Sequence, residues 1–370
     1  MLTSAKKYNL RLENSFYSGG QLGQTRVMSS RINLASVARE AGVAVSTASL
    51  VLNGKAATVG LAEETILRIK LAAEQLGYTP NHNARSLRLR RSGMLGLILS
   101  GLSRTPDQLL SGVRQVLDGS GQEMVPLLAS HDYDSEREHK ELRFLMRNQV
   151  EAIIATPIGP WAKNYAPLVS SGVPVVFAVH GLADAPDNIS GVYLDSEGMA
   201  REGVHHLAAG GAKRIAYLTW DYGTPVSQEK LAGVQQAIME VGKKTTLAGI
   251  FSQPPGTTFE APLAALFANP KTAPDALLCN PSSVATNCLD FLDRENISVP
   301  DDCALLSLND HEMFNTGRLQ VTAVGQDNEF IGRRAAQIAL GLIAAKRPQV
   351  VRERHACFNL IQRATTRPPG

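Results

Sequence analysis

The stretch LASVAREAGVAVSTASLVLN, residues 34–53, predicts two short helices joined by a tight turn. The first helix has an apolar face at helical spacing, formed by Leu34, Val37, Ala38 and Ala41. Gly42 follows, and glycine readily adopts the left-handed conformation that a sharp turn needs. The pattern is typical of a helix-turn-helix, whose second helix enters the DNA major groove. An ordinary helical hairpin with a core face is the alternative.

A third helix is predicted from about Ala62 to Leu76, because its apolar residues recur at steps of three and four residues. Gly77 and Pro80 end this helix, since glycine favours the turn beyond a helix end and proline cannot continue the helix. Three helices can close one small core, so a helix-turn-helix domain is expected at residues 29–80.

Positive charge is concentrated near the N-terminus, although the whole chain of 370 residues has a net charge of only +3. Residues 29–92 contain nine basic and four acidic residues, whereas residues 93–370 contain 24 basic and 29 acidic ones. A basic segment on an acidic body indicates that this segment meets a polyanion. Residues 1–28 are polar and are expected to be a disordered tail, a basic arm, or an over-long start if Met28 is the natural first residue.

Composition excludes several classes of protein. The hydrophobic content of 44% supports a real core, and no apolar run approaches the ~20 residues of a membrane helix. Residues 1–28 lack the apolar core of a secretory signal. The sequence therefore predicts a cytoplasmic protein with no membrane partner, no metal and no cofactor. The cysteines, which have no metal-type spacing and are expected to be reduced, are Cys279, Cys288, Cys303 and Cys357.

From Met94 onward, short apolar runs alternate with helical segments, beginning with MLGLILS at residues 94–100. Continuous apolar strands between helices indicate a parallel sheet covered on both faces. The repeats exceed one comfortable sheet, so the fold class predicted for the body is α/β, with two doubly wound parallel-sheet subdomains. Ligands in such folds lie at the carboxyl ends of strands and at domain interfaces.

The order of these parts resembles the lactose/galactose repressor (LacI/GalR) family of bacterial transcription regulators. The motifs that carry the resemblance are INLASVAREAGVAVSTASLVLNG, GYTPNHNARSLR, SEREHKELRFLMRNQVEAII, VYLDSEGMAREGVHHLAAGGAKRIAYL and LIQRATT, within about residues 31–366. The resemblance implies a hinge helix or linker at residues 81–92 and a periplasmic-binding-protein-like effector-binding and dimerisation domain at residues 93–370. The lobes expected in this domain are an N-lobe of about residues 93–211 and 327–347 and a C-lobe of about residues 212–326 and 348–366.

The resemblance also implies which residues of the second helix contact DNA. Val45 and Ser46 would face base edges, because valine offers apolar contact to a thymine methyl and serine offers a hydrogen bond. Leu50 stands where many relatives carry a base-reading Arg, so an apolar contact or none is expected there. The residues implied to hold phosphates or sugars, which fix the register, are Thr47, Ser49 and Asn53.

In the hinge, Asn81, Arg85 and Leu87 match the family's pattern. The resemblance implies that Leu87 is wedged into the minor groove at the centre of a palindromic operator and kinks the DNA. Arg85 would suit a narrowed groove or adjacent phosphates. A buried contact with the body is the alternative for Leu87, and a solvated charged linker is the alternative for the arginines. The resemblance further implies that this hinge folds only on DNA and couples two heads in a homodimer.

For the effector pocket the resemblance implies Asp195, Lys230 and Asn309. Asp195 follows a strand, and a helix N-cap is an equally good interpretation. Lys230 takes the place of a ligand-binding Arg without its planar fork, and Asn309 replaces an Asp usually aimed at ligand hydroxyls. These changes argue against a conventional sugar as the effector. The alternatives that stay open are another carbohydrate, a different metabolite, and no effector at all. Aromatic residues that could line a pocket or simply pack are Trp161, Phe177, His180, Trp220 and Tyr222.

The sequence therefore predicts a DNA-binding transcriptional regulator, a repressor of a palindromic operator in double-stranded DNA whose affinity a small-molecule effector modulates. A two-lobed small-molecule binding protein without a DNA role is the alternative. An enzyme is not predicted, because the chain has no glycine-rich dinucleotide motif after a strand, no Walker loop and no G-x-S-x-G motif.

Overall fold

The computed structural model describes residues 32–52, 56, 60–78, 91–100, 104–121, 123–316 and 319–368. The chain divides into two units, a head within residues 1–82 and a body within residues 83–370. Each unit has its own hydrophobic core.

The head is built from three helices, α1 (Leu34–Glu40), α2 (Val45–Leu52) and α3 (Glu63–Gln75). Asn33 caps α1, because its side chain accepts a hydrogen bond from the Ser36 backbone N–H at 3.0 Å. Gly42, with a φ of +63°, provides the left-handed turn. The directions of α1 and α2 differ by 104°, which lies within the range of a helix-turn-helix. The predicted helix pair and its turn are confirmed.

The apolar faces of the three helices form the core of the head. Arg68 ties α3 to the end of α1, since its Nε donates to the Ala41 carbonyl at 2.9 Å. Within the described ranges no single helix is long and apolar enough to cross a membrane. The bent pair of α1 and α2 has the length and apolar composition of a membrane span, but this similarity is one of length and composition only. The buried core residues are Val37, Ala38, Ala41, Ala48, Val51, Ile69, Ala72 and Ala73.

The body alternates strands and helices along the chain. Its first half comprises β1 (Met94–Leu99), α4 (Arg104–Gly119), β2 (Val125–Ser130), α5 (Ser135–Arg147), β3 (Ala152–Ala155), α6 (Trp161–Asn164), α7 (Ala166–Ser170), β4 (Val175–Val179) and β5 (Ser190–Leu194). Its second half comprises α8 (Ser196–Ala209), β6 (Arg214–Trp220), α9 (Pro225–Val241), β7 (Thr246–Gln253), α10 (Glu260–Phe267), β8 (Ala276–Asn280), α11 (Ser282–Arg294), β9 (Ala304–Ser307), β10 (Asn315–Thr316), β11 (Leu319–Gln320), β12 (Thr322–Gln326), α12 (Asn328–Ala344), β13 (Arg352–His355) and β14 (Phe358–Ile361).

Two six-stranded sheets organise these elements into two lobes. The first sheet has the order β13-β5-β4-β3-β1-β2, with parallel pairing throughout. The second has the order β14-β12-β9-β8-β6-β7, and its pairs are parallel except that β14 runs antiparallel to β12. Buried apolar residues cover both faces of each sheet. The prediction of two doubly wound parallel-sheet subdomains is confirmed.

The boundary between the lobes differs from the expected one in two places. The expected N-lobe extends to about residue 211, but α8 packs against α9 and against four strands of the second sheet, so the second lobe begins at residue 196. The expected C-lobe includes residues 348–366, but β13 pairs with β5 of the first sheet and only β14 joins the second. The difference arises because α8 follows β5 of the first sheet in sequence but covers the second sheet.

Two glycines let α4 and α12 pack closely beside the first sheet. A Cβ at Gly112 would lie 2.1 Å from the Glu329 carbonyl oxygen, and a Cβ at Gly332 would lie 2.2 Å from the Leu109 carbonyl oxygen. Backbone atoms cannot give way by that much, so both positions exclude a side chain. Gly341, in the same helix as Gly332, has no atom within 4 Å of its Cβ position.

Gly332→Ala should lower the free energy of unfolding by about 1–3 kcal/mol, because the added methyl forces α4 and α12 apart. Gly341→Ala is the matched control and should raise that free energy by about 0.5–1 kcal/mol, since alanine has the higher helix propensity. Urea denaturation followed by circular dichroism measures both variants. Equal effects of the two substitutions would contradict the close helix contact.

Candidate functional site

The start of α2 is the exposed part of the helix-turn-helix. Val45 is 47% exposed and Ser46 is also exposed, whereas Ala48 and Val51 turn into the core. No charged side chain lies in the first or last turn of α2. This helix start can therefore present a methyl group and a hydroxyl to base edges. The other described residues of the predicted DNA-contacting set, all half-buried, are Thr47, Ser49 and Leu50.

The basic charge predicted for the DNA-contacting region lies mostly beyond the head's helices. Residues 34–75 contain four basic and four acidic residues, whereas residues 81–92 contain four arginines and no acidic residue. Arg91 is tied to the body by an ion pair with Glu151 at 2.8 Å, and Glu151 also accepts from the Gly93 N–H at 2.7 Å. Four residues of the predicted contact set lie outside the described residues, namely Asn53, Asn81, Arg85 and Leu87.

A cavity of about 680 Å³ lies between the two lobes of the body, a volume typical of small-molecule sites. The carboxyl ends of strands from both sheets meet at this cavity, as expected for doubly wound folds. Side chains at or just beyond these strand ends line it, for example Ser100, Thr156 and His180 from the first lobe and Tyr222, Asn280 and Asn309 from the second.

Lys230 projects from α9 and lines the cavity, although only 3% of its surface is exposed. Its Nζ donates to Asn280 Oδ1 at 2.8 Å, and it lies 3.5 Å from both the Leu308 carbonyl oxygen and Asn309 Oδ1. Burial lowers the pKa of Lys230 to about 7. The structure thus brings together Lys230 and Asn309, two of the three residues predicted for the effector pocket.

Asn280 is a cavity residue that the sequence reasoning missed. Its Nδ2 donates to Thr219 Oγ1 at 2.9 Å, and Thr219 Oγ1 in turn donates to the Trp220 carbonyl at 3.0 Å. This chain of hydrogen bonds turns the Asn280 Oδ1 toward Lys230. The sequence offered one indication of this role, which is that Asn280 is the last residue of a buried apolar strand. Residues at the carboxyl ends of such strands commonly line ligand sites.

The two carboxylates among the described residues that line the cavity are both paired with arginines. Asp310 accepts from Arg363 at 2.8 Å, and only 11% and 10% of these side chains are exposed. Asp132 pairs with Arg137 at a solvent-exposed position. Lys230, by contrast, has only uncharged hydrogen-bond partners among the described residues.

Asp195, the third residue predicted for the effector pocket, is not among the described residues that line the cavity. Its side chain accepts from the Gly198 backbone N–H at 2.9 Å and so caps α8. A Cβ at Gly198 would lie 2.2 Å from the Asp195 Oδ2, so the glycine makes room for the capping carboxylate. Of the two interpretations of Asp195, the structure supports the helix N-cap, at the point where the chain passes between the lobes.

Two of the five aromatic candidates line the cavity. Tyr222 of the second lobe stacks on Tyr133 of the first, with ring centroids 4.1 Å apart. This stack is a direct contact between the lobes across the cavity. His180 is the second lining residue, and the candidates that pack outside the cavity lining are Trp161, Phe177 and Trp220.

Burial lowers the pKa of two histidines in this region, His180 in the cavity lining and His131 beside the lining residue Asp132. His131 Nδ1 accepts from the Tyr133 N–H at 3.1 Å, and its Nε2 donates to the Thr156 carbonyl at 2.9 Å. His180 Nδ1 donates to the Gly181 carbonyl at 3.1 Å. Burial lowers the pKa of both imidazoles. The lowered pKa favours the neutral form of both rings.

Unusual backbone conformations are concentrated at the cavity. Asp132, Tyr133 and Val179 have φ values of +46°, +60° and +71°, and all three line it. A β-branched residue such as valine rarely adopts positive φ. Such conformations persist where the surrounding structure fixes them, and they are typical of ligand sites.

Glu138, on α5, holds the loop that follows β3 at the cavity. Its fully buried carboxylate accepts from the Ile158 and Gly159 backbone N–H groups at 3.0 and 2.7 Å. Asn164 Nδ2 and Tyr165 Oη donate to the same carboxylate at 2.6 and 2.5 Å. Because Ile158 lines the cavity, this carboxylate positions part of the cavity wall. The charge-rich sequence of α5 is typical of a surface helix and gave no sign of this role.

Comparisons with known proteins cover both units. Residues 33–81 match the family model of bacterial regulatory proteins, lacI family, and residues 204–366 match that of the periplasmic binding protein-like domain. Catabolite control protein A of Staphylococcus xylosus is 27% identical over 303 residues, which cover 81% of this chain and 89% of that protein. A LacI-family transcriptional regulator from Silicibacter pomeroyi has a TM-score of 0.72 at 21% identity, covering 90% of this chain and 99% of that one. The lac repressor dimer bound to operator and the anti-inducer ONPF has a TM-score of 0.71 at 21% identity, covering 90% and 98%.

Glu138→Gln should lower the free energy of unfolding by about 1.5–3 kcal/mol, because an amide nitrogen would replace an acceptor oxygen that faces buried donors. Glu136→Gln is the matched control in the same helix. Glu136 is largely exposed and pairs with Lys163, so its replacement should change the free energy by less than about 1 kcal/mol. Chemical denaturation measures both variants, and a stable Glu138→Gln protein would show that the buried carboxylate is dispensable.

Proposed function

We propose that this chain, which belongs to the lacI family of bacterial regulatory proteins, is a repressor that binds a palindromic operator as a homodimer and responds to a small-molecule effector. It joins a lacI-type DNA-binding domain to a periplasmic binding protein-like domain. Relatives named as HTH-type transcriptional regulators, PtxS and GntR, support the prediction that the chain is not an enzyme. The observation that carries the proposal is the presence in one chain of an exposed recognition-helix start and a cavity between two lobes.

The proposed contacts with base edges come from the start of α2. Val45 offers its methyl groups to a thymine methyl, Ser46 donates or accepts a hydrogen bond, and Leu50 makes an apolar contact or none. The exposure of Val45 and Ser46 supports this assignment. The residues proposed to contact phosphates or sugars, which fix the register without reading sequence, are Thr47, Ser49 and Asn53.

The proposed domain order is a head at residues 29–80, a hinge at residues 81–92 and the two-lobed body from residue 93. In the hinge, Asn81 and Arg85 contact the minor groove or its phosphates, and Leu87 is the apolar wedge that kinks the operator. Electrostatic attraction to DNA then comes chiefly from the hinge, because residues 34–75 carry no net charge.

The proposed homodimer places two heads on the two halves of a palindrome. The solved lac repressor is a dimer on its operator, and two such heads are what a two-fold symmetric site requires. Apolar side chains exposed on the first lobe also favour a second copy. Val125 and Leu128 on the edge strand β2 are 57% and 41% exposed, and Phe144 on α5 is 44% exposed.

The proposed effector binds between the lobes and biases their relative arrangement. Contacts that join the lobes across the cleft include the Tyr133–Tyr222 stack and the ion pair of Arg354 with Glu229 at 3.1 Å. A ligand that changes these contacts changes the position of the first lobe, from which the hinge leaves the body. The coupling is reciprocal, so operator DNA alters effector affinity by the same factor.

The second candidate is a two-lobed small-molecule binding protein without a DNA role. It accounts for the cavity but leaves the lacI-type domain at residues 33–81 without a purpose. A reporter fused to a target promoter in a deletion strain separates the two candidates. Expression that rises on deletion supports repression, unchanged expression supports the binding protein, and reduced expression would make the chain an activator.

Leu87→Ala should weaken operator binding by about 10- to 100-fold and leave binding to unrelated DNA nearly unchanged, because the wedge acts only where the DNA is kinked. Leu71→Ala is the control, since Leu71 is 46% exposed on α3 and has no proposed DNA role. Electrophoretic mobility shifts at fixed salt measure both variants. If Leu87→Ala keeps the full discrimination between operator and unrelated DNA, Leu87 is not the wedge.

A further inference from the structure

We propose that the effector of this cavity is a small polyhydroxylated carboxylic acid, whose carboxylate is bound by Lys230 Nζ. The inference rests on the proposed function for the claim that the cavity holds an effector. It goes further by assigning the chemical class of that effector from the charges and hydrogen bonds of the cavity.

The first argument is charge. Lys230 is the one lysine or arginine among the described residues that line the cavity. The two carboxylates among the same residues form ion pairs with arginines and not with Lys230. Asp310 is paired with Arg363, and Asp132 is paired with Arg137. Burying a cation without a counter-ion is costly. An anionic ligand would supply the missing charge, whereas a neutral ligand would leave it uncompensated.

The second argument is the hydrogen-bonding capacity of Lys230. An ammonium group has three donors. One donor makes a short hydrogen bond of 2.8 Å to Asn280 Oδ1. The other two hydrogen bonds, to the Leu308 carbonyl oxygen and to Asn309 Oδ1, are long and therefore weak, at 3.5 Å each. A ligand carboxylate can take the weakly used donors. Burial lowers the pKa of this lysine to about 7, and an adjacent carboxylate would favour the charged form again.

The third argument separates a carboxylate from a phosphate. A phosphate monoester carries about −1.5 to −2 charges at neutral pH, and phosphate sites usually offer an arginine cluster or a row of backbone N–H groups. Lys230 is the one lysine or arginine among the described residues that line this cavity, and burial lowers the pKa of the lining His180. A single carboxylate matches one ammonium group.

The fourth argument concerns the rest of the ligand. Asn328 is 3% exposed and lines the cavity, and its Oδ1 accepts no hydrogen bond from the described residues. A buried acceptor of this kind favours a ligand hydroxyl, which can donate to it. Further neutral groups that can exchange hydrogen bonds with hydroxyls line the same cavity, namely Ser100, Thr156, Ser227, Asn309 and Gln326.

The test uses pairs of ligands that differ only in the acid group. The pairs are D-gluconate with D-glucitol and D-galacturonate with D-galactose, with D-glucose 6-phosphate as the phosphate probe. Isothermal titration calorimetry on the full chain measures affinity. At least one acid should bind about tenfold or more tightly than its neutral partner, because the charged hydrogen bond is made only by the acid.

Three variants assign that preference to Lys230. Lys230→Met should abolish it, and Lys230→Arg should keep part of it because the charge remains. Lys271→Met, at an exposed surface position, should change nothing. The melting temperature of Lys230→Met checks its fold, and an apolar side chain in place of an unpaired buried cation should not unfold the protein.

Several outcomes would overturn the inference. These are equal binding of acid and neutral partner, an acid preference that survives in Lys230→Met, tighter binding of the phosphate probe, and no binding of either acid.

Retention of the same samples on operator DNA tests the proposed function separately. Lys230-dependent acid binding without any effect on DNA retention would refute the regulator and leave the ligand class standing. DNA retention that responds only to neutral sugars would refute the ligand class and leave the regulator standing.

Discussion

The direction of parallel strands is the constraint on which the body of this protein depends. In a parallel sheet every strand ends at the same edge, and the crossover helices must cover both faces. Two such sheets share one chain here, and residues at or beyond their strand ends line one cavity. Polar side chains from distant parts of the sequence, such as Thr156 and Asn280, therefore meet without either being placed by a local motif.

The cavity combines rigid support with an incomplete charge balance. Glu138 fixes the loop after β3 through four hydrogen bonds, and the Thr219–Asn280 contact orients the amide that faces Lys230. Preorganised groups of this kind bind ligands without a large ordering cost. The buried lysine has no charged hydrogen-bond partner among the described residues, and burial lowers its pKa.

Local patterns in the sequence were sufficient to predict the head and the fold class. Gly42 and the spacing of Val37, Ala48 and Val51 define the helix-turn-helix, because helical periodicity is a local property. The lobe boundaries were not predictable in this way, since α8 follows β5 in sequence yet covers the other sheet. Asp195 illustrates the same limit. A carboxylate after a strand suits a ligand or a helix cap equally, and only the position of Gly198 decides between them.

The central claim is that the head binds a specific DNA sequence and that the two-lobed body controls this binding. The most direct measurement is capture of fragmented genomic DNA by the purified full-length chain at physiological salt, followed by sequencing. The account predicts enriched fragments that share a two-fold symmetric motif with half-sites for two recognition helices. Recovery of fragments with no common motif, in proportion to their abundance in the input, would contradict it.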